Sequence, residues 1–111
     1  MNFGDINLEI AIRTIIKEIK SSEEYIRYIR QKELIKQDEE ALQKVEELRG
    51  LNFDLQKAQE SSDDQHEEQL EDRIEELYED SHVNDYMQAE IDFCKLFQDI
   101  LSKITQGIDF E

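Results

Sequence analysis

Between Ser81 and Phe110 the apolar residues spread too widely around a helix for a single neighbour to cover them. Advancing about 100° per residue gathers Tyr86, Ala89, Phe93, Leu96, Phe97, Ile100, Leu101, Ile104 and Ile108 into one broad sector. Met87, Ile91 and Cys94 widen that sector to roughly 220°, against about 100° for an ordinary amphipathic helix. Such a helix has to be covered from two sides, by its own chain, by a second chain, or by both. In the middle of the sector stands Glu90, a carboxylate with apolar wheel neighbours that needs a partner if it is buried.

Composition narrows the fold class. A chain of 111 residues is read as one domain, 1–111. It has no Pro, no Trp and three Gly, so nothing forces a reversal inside the long periodic segments. The charged fraction is 38%, well above the globular average of about 25%, which suits long solvated helices with narrow buried faces. Disorder is excluded because the apolar residues are large and periodic. Apolar/polar alternation never lasts long enough for a strand. The fold expected is all-α, about five helices in an open, elongated array or bundle completed by oligomerisation.

With 29 acids against 13 bases, the net charge of −16 disfavours direct contact with nucleic acid or an anionic membrane. A single cysteine makes no internal disulfide and suits a reducing compartment. The start Met1-Asn2-Phe3-Gly4 has no signal-peptide pattern, and no apolar run approaches 18 residues, so a cytoplasmic location is expected.

The first helix is expected from about Asp5 to Lys20, with Leu8, Ala11, Ile12, Ile15, Ile16 and Ile19 on its buried face. Ser21 with Glu24 reads as a capping box that opens a second helix, to about Ile35, burying Tyr25, Tyr28, Ile29 and Ile35. Asp38 caps a third helix, about Glu39 to Gln59, spanning on the order of 30 Å. Its stripe is Ala41, Val45, Leu48, Asn52 and Leu55, so Asn52 is a candidate buried polar residue that fixes register. Gly50 within it either permits a close backbone approach or is simply tolerated. Ser62 with Gln65 reads as the cap of a fourth helix, seamed by Leu70, Ile74 and Leu77, antiparallel to the third. Ser81 is the expected cap of the last.

Little in the chain suggests catalysis. Glu79 and His82 have the Glu-x-x-His spacing of di-iron bundles, but a second copy would have to be Asp63-Asp64-Gln65-His66, in a loop. Both histidines are therefore expected to be solvated, with no metal and no cofactor. Cys94 has no neighbouring base and is read as a small core residue. No phosphate loop or nucleophile triad can be assembled. Glu90 is expected to be buried and paired with Arg49 or with a hydroxyl of Tyr25, Tyr28 or Tyr86. Breaking a buried pair of that kind costs about 3–5 kcal/mol. Tyr86, Phe93, Phe97, Ile100 and Ile104 are the candidate oligomer or partner interface.

Ordered along the chain, several of these pieces resemble the YlbF/YmcA family of bacterial helical regulators, of which YheA is a related short member. They are Ser22-Glu23-Glu24-Tyr25 with Tyr28, then Asp38, then Leu48-Arg49. The fullest piece is Val83-x-x-Tyr86-x-x-Ala89-Glu90-x-x-Phe93-Cys94, continued by Gln98, Ile100, Ile104 and Ile108-Asp109-Phe110. The resemblance covers about Leu8 to Phe110 and implies a helical, dimer-forming protein without catalysis. Some relatives are accessory subunits of a complex that adjusts RNA processing, and carry a cysteine-bearing tail that helps hold an iron–sulfur cluster. This chain has only Cys94, and a cluster needs several thiolates, so cluster binding is not carried over. The function expected is a non-catalytic adaptor or regulator working through protein–protein contacts, with itself and with other proteins. The rival readings are a metal-binding carboxylate bundle enzyme built on Glu79 and His82, and an acidic nucleic-acid mimic.

Overall fold

The computed structural model describes residues 5–108. They form five helices, α1 (Ile6–Lys20), α2 (Glu23–Lys36), α3 (Glu39–Ser61), α4 (Asp64–Leu77) and α5 (Ser81–Ile108), with no strand among the described residues. Met1-Asn2-Phe3-Gly4 and Asp109-Phe110-Glu111 lie outside them.

Side-chain oxygens at the helix starts set the boundaries. Asp5 accepts the Asn7 and Leu8 N–H groups at 2.8 and 3.2 Å, and Asp38 accepts that of Ala41 at 3.1 Å. The other three caps fall one residue from where the sequence pattern puts them. Ser22, not Ser21, opens α2, accepting the Tyr25 N–H at 3.2 Å. Ser21 instead closes α1, its N–H donating to the Lys17 and Glu18 carbonyls. Asp63, not Ser62, opens α4 by accepting the His66 N–H at 3.2 Å. Ser62 ends α3 in the left-handed region, with φ 59°, the conformation that closes a helix there. Asp80, not Ser81, opens α5, accepting the His82 N–H at 3.0 Å. In the last two cases a carboxylate replaces a hydroxyl, as the positive end of the helix dipole favours.

Pairings fix the topology. Gln59 meets Glu67 beside the turn and Glu47 meets Arg73 farther away, so α3 and α4 form an antiparallel hairpin. Arg27 pairs with Asp92, and the Tyr25 ring packs edge-on to Phe93, which lays α2 along the middle of α5. Asp38 meets His82, and Arg49 meets Glu90, so α3 crosses α5 running in the same sense. Ile35, Val45, Leu48, Leu77, Val83, Tyr86 and Met87 form the core where the end of α2, the first half of α3, the end of α4 and the start of α5 converge. The rest of the molecule is open. Its radius of gyration is 18.6 Å, where about 13 Å is usual at this length.

Two interior assignments are corrected. Asn52 is exposed, because the buried line of α3 passes through Ala41, Val45 and Leu48 and then turns by way of Leu51 to Ala58. α2 and α5 cover the first half of α3, and α4 covers the second from another direction. Cys94 is also exposed, since it lies beyond the stretch of α5 that the rest of the chain covers. Gly50 has a plain explanation too. A Cβ added there would meet nothing within 4 Å, so no backbone approach requires it. Gly50→Ala is therefore expected to stabilise the chain by about 0.5–1 kcal/mol, read as a higher urea midpoint at unchanged slope.

Candidate interaction surface and its polar ties

The apolar sector of α5 is only half used. Val83, Tyr86, Met87 and Ala89 are buried, and no residue of α5 beyond Glu90 is. Phe93 is half-buried under Tyr25 and Tyr28, whose ring centroids both lie 5.4 Å from its own. Ile100 is half-buried, while Phe97 is 45% and Ile104 42% exposed, together with Leu101 and Ile108. Of the five residues nominated from the sequence, Tyr86 is thus a core residue of the chain. Its hydroxyl has its acidity weakened to about 12, by burial above all.

A second exposed face was not foreseen. The apolar face of α1, expected to be buried, contains no buried residue, and Leu8, Ile15 and Ile16 stand open. Ile15 and Ile19 instead form one wall of an apolar groove whose other wall is Leu96 and Ile100 of α5. The signal for this lay in the turn. Ser21 and Ser22 spend their side chains on α1 and α2 backbone, which fixes where α1 departs.

Two polar ties hold α5 in place at the edge of this surface. Arg49 grips Glu90 with both terminal nitrogens, Nη1 and Nη2, at 2.9 and 2.8 Å, and the Tyr86 hydroxyl donates to the same carboxylate at 3.2 Å. The pair is less enclosed than the wheel suggests, with Glu90 22% and Arg49 48% exposed, because Glu90 sits where the buried part of α5 ends. Arg49 holds the Glu90 carboxyl below its ordinary value of 4.5, against the opposing effect of partial burial.

The second tie joins the starts of α3 and α5. His82 Nδ1 lies 2.6 Å from Asp38 Oδ2, and Lys44 Nζ lies 3.1 Å from Asp80 Oδ2. His82 is brought to Asp38 and Asp80, not to Glu79, which is exposed in the turn before α5. One ligand atom from each of Asp38, Asp80 and His82 lies within 4.8 Å of the others, a spacing a divalent cation can use. The Asp38 and Asp80 carboxylates accept from the Ala41 and His82 N–H groups and from Lys44, which clamps the starts of α3 and α5 together. The hydrogen bond to Asp38 raises the His82 pKa above its ordinary 6.5.

Compared with known proteins, the chain matches over residues 10–109 the family described as control of competence regulator ComK, YlbF/YmcA. No curated protein and no solved structure matches it.

Because the Arg49–Glu90 pair is half exposed, Glu90→Ala is expected to cost about 1–2 kcal/mol, below the range for a sealed pair. A carboxyl held low in the folded state contributes above its unfolded value and loses that contribution as pH falls through the folded one. Urea midpoints of wild type and Glu90→Ala should therefore differ at pH 7 and converge near pH 3. The His82 tie has the opposite sign. A raised pKa contributes fully below pH 6.5 and fades as pH rises through the folded value. The melting-temperature gap between wild type and His82→Ala should be wider at pH 6 than at pH 9.

Proposed function

The chain belongs to the YlbF/YmcA family, described as controlling the competence regulator ComK, and on that footing we propose a non-catalytic adaptor that works through protein–protein contacts. One observation carries the proposal: the chain covers the apolar side of α5 beyond Glu90, and the apolar side of α1, only in part, and buries no residue of either. Exposed apolar surface on this scale marks an interaction site. Phe93, Phe97, Ile100 and Ile104 are its centre on α5. Its occupants are a further copy of the chain and, in turn, a regulated protein of the bacterial cytoplasm. No described helix is long and apolar enough to cross a membrane.

Under this reading Arg49, Glu90 and Tyr86 are positioning residues that keep α5 projecting from the core. The acidic surface keeps the molecule soluble and steers away nucleic acid and anionic lipid. Sedimentation at micromolar concentration is expected to give a species heavier than the 13.3 kDa chain, and Phe97→Glu with Ile104→Glu should return it to monomer. The same double variant should lose the proteins that wild type retains from its native cell extract. A clean monomer that retains nothing would overturn the proposal.

A further inference from the structure

Where the starts of α3 and α5 meet, two aspartates and a histidine converge with donor atoms of two kinds. One carboxylate oxygen from each of Asp38 and Asp80 and one ring nitrogen of His82 lie within 4.8 Å of one another. No other group of three does so among the described residues. Asp38 and His82 are 44 positions apart in the chain, so the local spacing of Glu79 and His82 could not reveal the set. His66 is the contrast. It also stands among acids, Asp63, Asp64 and Glu67, but they all come from the start of one helix and form no such group.

Each aspartate divides its two oxygens between two tasks. Asp38 Oδ1 caps α3 by accepting the Ala41 N–H at 3.1 Å, which turns Oδ2 to His82 Nδ1, 2.6 Å away. Asp80 Oδ1 caps α5 by accepting the His82 N–H at 3.0 Å, which turns Oδ2 to Lys44 Nζ, 3.1 Å away. Ligating carboxylates are held in just this way, by hydrogen bonds from outside the coordination sphere. Tetrahedral ligation at about 2.0–2.2 Å puts ligand atoms roughly 3.3 Å apart. All three side chains are at least partly exposed, so rotation about their own bonds closes the remaining distance.

Imidazole together with two carboxylates suits a divalent transition cation such as zinc, whereas calcium and magnesium take oxygen ligands. The local charge favours a cation as well. Each aspartate offsets the positive end of its own helix, and Glu40 and Asp85 add negative charge beside them, against Lys44. Lys44 keeps a partner when an ion takes its place at Asp80, because Glu40 lies 3.4 Å from the same ammonium. We propose that Asp38, Asp80 and His82 form a binding site for a divalent transition cation, with His82 as the neutral ring, which bridges the starts of α3 and α5. Water completes the coordination on the solvent side. The bridge tightens the tie that sets where α5 leaves the core, and it does not depend on whether copies of the chain associate.

Zinc itself is the probe, added to the metal-stripped full chain and followed by calorimetry and by thermal melting. One ion per chain should bind and raise the melting temperature. Asparagine caps a helix as well as aspartate does, so Asp38→Asn and Asp80→Asn should both fold. Each should raise the zinc dissociation constant by at least about tenfold, as loss of even an outer hydrogen-bond partner does at metal sites. His82→Ala should do the same, and Lys44→Gln, which removes the competing ammonium, should lower it. His66→Ala and Cys94→Ser should leave it unchanged, and magnesium should not compete. Zinc that binds Asp38→Asn at wild-type strength would be held within α5 alone, and the bridge would be overturned. No binding to wild type, or binding lost with His66 or Cys94 instead, would overturn the site. A chain that is monomeric at every concentration yet binds zinc through these three residues would sink the self-association reading and leave this one standing.

Discussion

One helix is too long for the rest of the chain to cover, and the architecture follows from that mismatch. α5 has 28 residues, about 42 Å of helix, while α2 and α4 have 14 each, about 21 Å. α3 is longer, but its second half is taken up by the hairpin with α4. Only the first half of α5 therefore acquires a surround on several sides, and Val83, Tyr86 and Met87 become core there. Beyond Glu90 the same kind of sequence has cover on the α2 side alone. The apolar sector is continuous along α5, and its exposure changes because the covering helices run out.

The polar ties stand where that surround ends. The Arg49–Glu90 pair with Tyr86 joins α3 to α5 at the last buried turn, and the Asp38–His82 contact with Lys44–Asp80 joins helix ends at the first. Apolar packing between two helices tolerates sliding and rotation, whereas a bidentate guanidinium–carboxylate pair has a narrow geometry. Half exposed, these pairs add modestly to stability. Their larger effect is directional, because they set the angle at which the uncovered half of α5 leaves the core.

Charge segregation follows the same division. Between Glu39 and Leu77 the hairpin has fourteen acids against four bases and so carries −10 of the net −16, while α1 and the end of α5 remain close to neutral. The molecule thus has a solvated half that repels its neighbours and an apolar half with nothing to repel them.

The sequence by itself determined the helices, because periodicity and capping are local. Asp38 opens α3, and the third and fourth helices pair, both from residues within a few positions of one another. Glu90 also stood out, since a carboxylate inside an apolar sector is visible on a wheel, and both kinds of partner named for it are present in Arg49 and Tyr86. Neighbouring serines and aspartates compete for the same cap, which is why Ser22, Asp63 and Asp80 displaced the adjacent serines. What only the tertiary structure decided is which apolar faces are covered. Leu8 and Ile15 on α1, Asn52 on α3 and Cys94 on α5 occupy interior-looking wheel positions and are exposed. A wheel records the direction a side chain takes from its own helix axis, whereas burial depends on whether another helix reaches that place. Helix lengths and turns of two or three residues settle that between them, across separations that no local pattern encodes.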